Sequence, residues 1–365
     1  MSRSVVIMAN SIDELGGAQR VAHTLGQGLA GRGWDVHAVG IEPAREPHAY
    51  PGADYRMTTL MDEPYGTRDQ GEQREEASGH AVERLAAILD DDAPAAVIST
   101  QVWCMEHLNR LPRGTWRTIG QYHSSFEAAS MPGGPLPRLL DAYRDADVVT
   151  ALTQADAEAL RAEGLPQAIA MPNPLAFWPD EVVDAGAEAG QVLVLGRLSP
   201  EKAPLLAVDA WMQIADRHPA WSLHIVGSGP DEVVVRARAE DARWRIHLDP
   251  PVEDPRPLLR SSPVLVLPSL VEGLPLSLME AMAHGAACIA ADCSSGVREL
   301  VEEDVTGLLA VRGELDDLAR GLDRLLGDPA LRERLGHAAR ERLAAYRIDP
   351  VLDRWEQLLE RLPDR

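Results

Sequence analysis

The sequence predicts an α/β protein of two domains, each built on a parallel β-sheet. Short apolar runs alternate with stretches of helical periodicity along the chain, a pattern typical of parallel βαβ units. The 365 residues suffice for two domains of roughly 150 residues each. Pro172-Asn173-Pro174 and the acid- and Gly-containing Asp184–Gly190 have the composition of a linker. We therefore predict a first domain over residues 1–175 and a second domain over residues 176–346, with a C-terminal helix at about 347–365.

The first half contains six predicted strands and four predicted helices. The strands lie at Val5–Met8, Val36–Val39, Ala95–Ile98, Thr118–Gln121, Val148–Ala151 and Ile169–Met171. The helices lie at Ala18–Ala30, His80–Leu89, Leu136–Arg144 and Ala155–Glu163. The segment Glu42–Ser78 is polar and has neither period, so we interpret it as a long irregular excursion.

The second half repeats the same alternation. Its predicted strands lie at Val192–Leu195, Leu223–Val226, Arg245–Leu248, Val264–Leu267 and Ala287–Ala290. Its predicted helices lie at Pro204–Asp216, Asp231–Glu240, Leu276–Ala283, Leu315–Leu326 and Leu331–Ala345, followed by a final amphipathic helix at Pro350–Leu362.

Composition excludes several classes of protein. The formal net charge is −22, so we expect neither nucleic acid nor an anionic bilayer as the main partner, because both attract positive faces. No apolar run reaches the roughly 18 residues of a transmembrane helix. The chain enters its first strand without a signal-peptide pattern, which predicts a cytoplasmic location. The spacing of Cys104, Cys288 and Cys293 predicts buried thiols rather than a disulfide framework or a zinc site.

The segment from Glu272 to Glu280 carries the strongest chemical signal. A buried strand is followed by the loop residues Gly273 and Leu274, and a helix is predicted to begin near Pro275 and Leu276. The free N–H groups of a helix N-terminus favour a phosphate. Two carboxylates that bracket an anion site suit a diphosphate carrying hydroxyl groups on both sides, as a nucleotide sugar does. An ordinary loop and amphipathic helix with solvated acids would give the same pattern.

A second segment supplies positive charge. Gly196-Arg197-Leu198-Ser199-Pro200-Glu201-Lys202 follows the first strand of the second half, so Arg197 and Lys202 are predicted at the carboxyl edge of the sheet, where α/β proteins bind ligands. Lys202 is the only lysine among 35 basic residues. A site that needs a compact ammonium group would require a lysine even in an arginine-rich chain. A single exposed lysine could equally occur by chance.

Three further positions are weaker candidates. Gly16 and Gly17 open a helix after the first strand and allow close backbone approach to a phosphate. His123 ends a predicted strand at the ligand edge, although a lone histidine is more often structural. Neither glycine segment, at Gly16 or at Gly227, has the Gly-x-Gly-x-x-Gly dinucleotide pattern. Asp90-Asp91-Asp92 precedes a predicted strand instead of following one, so these acids are expected at the sheet edge opposite the ligand edge. No metal site is predicted there or elsewhere in the sequence.

Taken together, these motifs resemble the retaining glycosyltransferases of the GT-B fold, family 4. The Glu272-to-Glu280 segment is similar to the family's Glu-x7-Glu signature and includes the Glu-Ala-Met-Ala tail. The resemblance implies two Rossmann-like domains with an interdomain cleft and a final helix that returns to the first domain. It implies transfer of a sugar from a nucleoside-diphosphate sugar, uridine or guanosine, to a hydroxyl acceptor. Retention of configuration and no metal or other cofactor are also implied.

The same resemblance assigns roles to the candidate residues. Arg197 and Lys202 would neutralise the donor diphosphate, Glu280 would hold the ribose hydroxyls, and Glu272 would contact sugar hydroxyls. Gly17 would approach the phosphates, and His123 would lie near the transferred sugar. Gly227, Asn173 and Glu299 are further donor-site candidates whose motifs depart from the family pattern. The familiar Lys-Gly is Lys202-Ala203, Pro-Asn-Gly is Pro172-Asn173-Pro174, and Gly-Gly-x-x-Glu is replaced around Glu299.

These motifs are compatible with other functions and do not specify the acceptor. An epimerase or phosphorylase on the same fold, or a sugar-nucleotide-binding protein without catalysis, would share these motifs. The excursion is acidic, which predicts a soluble or cationic small molecule or glycan as the acceptor. The acids concerned are Asp54, Asp62, Glu63, Asp69, Glu72, Glu75 and Glu76.

Overall fold

A computed structural model describes residues 3–64 and 72–362. The chain forms two compact units. Unit 1 comprises Met1–Ala176 and Ile348–Arg365, and unit 2 comprises Phe177–Arg347. Each unit contains one parallel sheet covered by helices.

Unit 1 has a seven-stranded parallel sheet in the order β3-β2-β1-β4-β5-β6-β7. Its strands are β1 Ser4–Ala9, β2 Asp35–Gly40, β3 Arg56–Thr59, β4 Ala96–Ser99, β5 Arg117–Gln121, β6 Val148–Ala151 and β7 Ala168–Ala170. Its helices are α1 Gly17–Gly31, α2 Glu72–Asp92, α3 Val102–Leu108, α4 Phe126–Ala129, α5 Leu136–Tyr143 and α6 Gln154–Ala162. All six residues of β1 are buried because helices cover both faces of the central strands.

Unit 2 has a six-stranded parallel sheet in the order β10-β9-β8-β11-β12-β13. Its strands are β8 Gly190–Leu195, β9 Trp221–Val226, β10 Ile246–Asp249, β11 Val264–Leu267, β12 Ala287–Ala291 and β13 Leu308–Ala310. Its helices are α7 Pro204–Ile214, α8 Glu232–Ala239, α9 Arg256–Arg260, α10 Leu276–Ala283, α11 Ser295–Leu300, α12 Leu315–Gly327 and α13 Pro329–Leu343. The predicted fold class, two Rossmann-like parallel-sheet domains, is confirmed.

The final helix, α14 Ile348–Arg361, belongs to unit 1. Its apolar face places Leu352 so close to Gly28 on α1 that a Cβ at Gly28 would lie 2.5 Å from a Leu352 methyl carbon. On the polar side, Arg32 donates to Asp353 at 2.6 Å and to Glu356 at 2.7 Å. Glycine at position 28 therefore lets the last helix pack directly against the first.

The interpretation of Glu42–Ser78 as wholly irregular was wrong in two places. β3 pairs with β2 at the sheet edge, and α2 begins at Glu72. The strand was missed because Arg56 and Met57 are both exposed, so no alternation marks it. Asp69 lies outside the described residues, as do the side chains of Glu72, Glu75 and Glu76. Within residues 3–64 and 72–362, no helix is long and apolar enough to cross a bilayer.

Candidate functional site

The two loops that carry the charged motifs of unit 2 follow neighbouring strands. The Lys202 loop, residues 196–203, follows β8, and the Glu272 loop, residues 268–275, follows β11, which pairs with β8. From β8 the chain proceeds to β9 and β10 on one side, and β11 to β13 lie on the other. The two loops therefore flank the point where the strand order reverses, which is the usual ligand position in an open α/β sheet.

Backbone hydrogen bonds hold the Lys202 loop on both sides. Leu198 N donates to Ser228 O at 2.8 Å, and Leu270 N donates to Glu201 O at 2.8 Å. Gly227 packs so tightly that a Cβ there would lie 1.8 Å from Gly196 O. Gly227 thus supports the Lys202 loop by allowing close backbone approach.

Lys202 and Glu272 form an ion pair within unit 2. Lys202 Nζ donates to Glu272 Oε1 at 2.8 Å, with 32 % of the lysine side chain and 8 % of the glutamate side chain exposed. Arg197, on the same loop as Lys202, is exposed. A ligand phosphate held by Lys202 would therefore share this ammonium group with Glu272, whereas Arg197 is open to solvent.

The helix that follows the Glu272 loop begins as the sequence predicts. Pro275 is extended, α10 begins at Leu276, and the first helical hydrogen bond runs from Met279 N to Pro275 O at 3.1 Å. The preceding amides lack partners within the helix, which makes this end suited to an anion. Glu280, in the middle of α10, is 2 % exposed.

The Glu272 loop rests on α11, a contact that sequence reasoning missed. A Cβ at Gly296 would lie 1.8 Å from Gly273 O and 3.1 Å from Leu274 Cα. Ser294, the N-cap of α11, directs its hydroxyl towards the same carbonyl oxygen. Only glycine at position 296 permits this approach, and the contact fixes how closely the Glu272 loop packs against α11.

Ala203 explains one departure from the family pattern. Its φ is +46° and its ψ is +49°, in the left-handed region that favours glycine. Position 203 therefore has a backbone conformation that glycine adopts without steric cost, although it carries a Cβ.

Glu299 makes a structural hydrogen bond, and Cys293, near Glu272, carries an unreactive thiol. Glu299 Oε1 accepts a hydrogen bond from the Tyr346 hydroxyl at 3.2 Å, so its carboxylate is tied to the residues that follow α13. Burial raises the pKa of the Cys293 thiol to about 12, helped by the nearby Glu272 carboxylate. The thiol is therefore protonated near neutral pH and is a poor nucleophile.

In unit 1, buried polar atoms gather at the carboxyl edge of β5. His123 lies just beyond β5, and both of its ring nitrogens are buried without a hydrogen-bond partner among the described residues. Gln121 Oε1, at the end of β5, and Asn173 Oδ1 are in the same condition. Buried polar atoms are nearly always hydrogen-bonded, so this group has the character of a ligand site. Gln121 was missed because a glutamine at a strand end carries no motif.

Burial keeps the His123 imidazole neutral. It lowers the pKa of His123 to about 4, and the neighbouring Asn173 side chain partly offsets this effect. At neutral pH the ring therefore offers one N–H donor and one nitrogen acceptor. This chemistry fits a hydroxyl group better than a phosphate.

Residues of the excursion hydrogen-bond to the loop that precedes α1. Gly16 is the extended N-cap of α1 and Gly17 is its first residue, exposed to solvent. Tyr50 donates its hydroxyl to Glu14 O at 2.7 Å, and His48 N donates to Asp13 O at 2.7 Å. The N-cap of α1 is a glycine, so no N-cap side chain accepts a hydrogen bond from the first amides of the helix.

Asp92 lies in an ion-pair network away from these loops. It ends α2, where its carboxylate bonds His37 Nδ1 at 2.5 Å and Arg56 at 2.6 Å. Among the described residues, no three His, Cys, Asp or Glu side chains form a group that could hold a metal ion.

Two doubly wound parallel sheets, with charged loops at the strand-order reversal of the second, are the architecture of the GT-B fold. Residues 15–174 match the family model described as Glycosyltransferase Family 4, and residues 182–342 match the model described as Glycosyl transferases group 1. The chain belongs to the group 1 glycosyltransferases of the GT-B fold.

Individual relatives agree with this membership. An uncharacterized glycosyltransferase of Haemophilus influenzae is 26 % identical over 358 residues, covering 96 % of this chain and 98 % of the relative. A 2-deoxystreptamine glucosyltransferase of Streptomyces kanamyceticus is 32 % identical over 208 residues, covering 52 % of this chain and 54 % of that enzyme. The Anabaena protein HepE, solved in complex with UDP-glucose, has the same fold, with a TM-score of 0.79 at 16 % identity over 98 % of this chain and 100 % of HepE.

Proposed function

We propose that this enzyme transfers a sugar from a nucleoside-diphosphate sugar to an acceptor hydroxyl with retention of anomeric configuration and without a metal ion. The observation that carries the proposal is the placement of Arg197, Lys202 and the α10 N-terminus around the strand-order reversal of unit 2. These groups supply positive charge and amide donors of the kind that a diphosphate leaving group requires.

Each candidate residue then has a chemical role. Arg197, Lys202 and the amides at the start of α10 bind the diphosphate, with Gly273, Leu274, Pro275 and Leu276 forming the backbone around it. Glu280 binds the ribose hydroxyls, and Glu272 both orients Lys202 and accepts hydrogen bonds from sugar hydroxyls. In unit 1, Gly16 and Gly17 offer backbone amides, and His123 with Asn173 contacts the transferred sugar.

The reaction needs charge stabilisation rather than a protein nucleophile. The bond between the anomeric carbon and the diphosphate oxygen breaks, and its electron pair goes to the diphosphate. The acceptor oxygen forms the new bond on the same face of the sugar, and its proton passes to the departing diphosphate. Cations that are already in place stabilise this charge without reorganisation, and removing one such group typically costs about 10²–10³ in rate.

We propose a cationic, hydroxyl-rich acceptor. The net charge of −22 favours a cation over an anion. The relative from Streptomyces kanamyceticus, named for 2-deoxystreptamine, matches over half of this chain. Comparing 2-deoxystreptamine with a neutral octyl glycoside as acceptor tests this proposal, and a preference for the neutral glycoside would contradict it.

The test of the proposed reaction is a panel of UDP-glucose, UDP-N-acetylglucosamine and GDP-mannose, offered with these acceptors in the presence of excess chelator. We expect transfer with one donor, and an anomeric proton coupling in the product that matches the donor. Glu280→Gln should lower kcat/KM at least a hundredfold, whereas Glu341→Gln, at an exposed carboxylate on α13, should not.

Three outcomes would contradict the proposal. Activity that is lost on chelation and restored by Mg²⁺ or Mn²⁺ would exclude a metal-free reaction. Conversion of the donor without an acceptor would favour an epimerase, and tight UDP or GDP binding without turnover of any donor would favour a binding protein.

A further inference from the structure

The loop that carries His123 is fixed at both of its ends. At one end, Tyr122 N donates to Thr150 O at 2.9 Å and extends the pairing of β5 with β6. At the other end, Phe126 N, the first amide of α4, donates to Asp156 Oδ1 at 2.8 Å. Only the three residues 123–125 lie between these two anchors, so the position of His123 depends on both.

Asp156 is itself held rigidly. It lies in the first turn of α6 and is 1 % exposed. Its Oδ2 accepts a hydrogen bond from Thr153 Oγ1 at 2.7 Å, and its own N–H donates back to Thr153 Oγ1 at 3.0 Å. Thr153 and Asp156 have the spacing of a helix capping box, in which the acid normally accepts a hydrogen bond from the N-cap amide of its own helix. Here one carboxylate oxygen reaches outside α6 to Phe126.

We propose that Asp156 is a positioning residue for His123, acting through the Phe126 amide that ends the His123 loop. The inference rests on the proposed function, in which His123 contacts the transferred sugar. Displacing a positioned group by about 1 Å can cost on the order of a hundredfold in rate. Loss of the Asp156 anchor should therefore impair sugar transfer, although Asp156 touches no substrate.

The chain offers a matched control at the opposite end of β5 and β6, the two strands that precede α4 and α6. Asp147, directly before β6, accepts hydrogen bonds from Thr118 N at 2.8 Å and from Thr118 Oγ1 at 3.0 Å. It joins β6 to β5 by the same carboxylate-to-amide bond, but at the amino-terminal edge of the sheet. Its removal should cost stability without moving His123.

The first experiment is a double-mutant cycle with the most active donor of the panel and 2-deoxystreptamine. We expect Asp156→Ala to lower kcat/KM at least tenfold, Asp156→Asn to recover part of the loss because it keeps an acceptor oxygen, and Asp147→Ala to change it less than threefold. In a His123→Ala background, Asp156→Ala should cost less than a further twofold. Equal losses in both backgrounds would overturn the proposal, because a merely structural role is additive.

The second experiment does not depend on activity. Hydrogen exchange of the Phe126 amide should accelerate at least tenfold in Asp156→Ala and stay unchanged in Asp147→Ala, while UDP affinity stays within twofold of wild type. Unchanged exchange at Phe126 would overturn the positioning role. A wild-type enzyme that is inactive with every donor would instead refute the proposed function, and the exchange result would still report on the anchor.

Discussion

Ala203 has a strained backbone conformation and lies at the end of the Lys202 loop. The left-handed conformation at φ +46° follows immediately after Lys202 and begins α7. A residue with a Cβ costs about 1–2 kcal/mol in this region, and glycine costs roughly 0.5–1 kcal/mol of chain entropy. The two effects oppose each other, with the strain slightly larger.

We predict that Ala203→Gly stabilises the protein by about 0.5 kcal/mol and changes UDP or GDP affinity less than threefold. Urea denaturation and titration calorimetry measure both quantities. Ala93→Gly is the matched control, since Ala93 also has a positive φ, +40°. Ala93 lies in unit 1, between α2 and the start of β4, away from the Lys202 loop. A destabilised Ala203→Gly beside a stabilised Ala93→Gly would show that the Lys202 loop does not adopt this conformation.

His123 predicts a pH dependence of stability. Its folded pKa of about 4 lies below the unfolded value of 6.5, so the unfolded state binds the proton more readily. The contribution of neutral His123 to the free energy of unfolding is fully present above pH 6.5 and is lost as the pH falls towards 4. We expect the His123 ring signal in NMR, identified by its absence in His123→Gln, to titrate near pH 4. A midpoint near 6.5 would contradict the burial of both ring nitrogens.

At the residue scale, sequence patterns identified candidate ligand-binding groups but did not predict how those groups pair with one another. The Gly- and Pro-containing loop after a buried strand predicted a helix that begins near Pro275 and Leu276, and α10 begins at Leu276. The Lys202–Glu272 pair and the Asp156–Phe126 anchor join residues 70 and 30 positions apart. Such contacts depend on how strands order in the sheet, which local patterns do not specify.

At the scale of elements, the Glu272 loop is supported by a short helix that sequence periodicity could not detect. α11 has six residues, fewer than two helical turns, so no apolar period develops. α3, α4 and α9 were missed for the same reason. The longer helices and buried strands were predicted to within a few residues, apart from α2, which begins eight residues before its predicted start.

We predict that Gly296→Ala displaces the Glu272 loop, since its Cβ would clash with Gly273 O. Nucleotide affinity should fall at least tenfold, and stability should fall by about 1–3 kcal/mol, as overpacking typically costs. Gly327→Ala, at the end of α12 with no neighbour within 4 Å of its Cβ, should lower neither. Calorimetry with UDP and GDP measures the affinity, and equal affinity in both variants would show that Gly296 does not position the Glu272 loop for nucleotide binding.

At the scale of the whole molecule, the arrangement of two parallel sheets followed from the alternation of apolar runs and helical periods. The return of α14 to unit 1 was implied by resemblance, and the chain achieves it through Gly28, Arg32 and their partners on the last helix. The order of strands and helices does not specify a sugar or an acceptor, because many substrates can bind to loops and strand ends carried on the same fold.

The proposed binding of a nucleoside diphosphate to unit 2 through Lys202 can be measured directly, because the chain has a single lysine. Reductive methylation can label only Lys202 and the N-terminal amine. We predict that saturating UDP or GDP lowers labelling of Lys202 at least fivefold, because the ammonium group then makes charge-assisted bonds to phosphate. The N-terminal amine should react equally in both samples. Equal labelling of Lys202 with and without either nucleotide, together with full activity of Lys202→Ala, would contradict the claim.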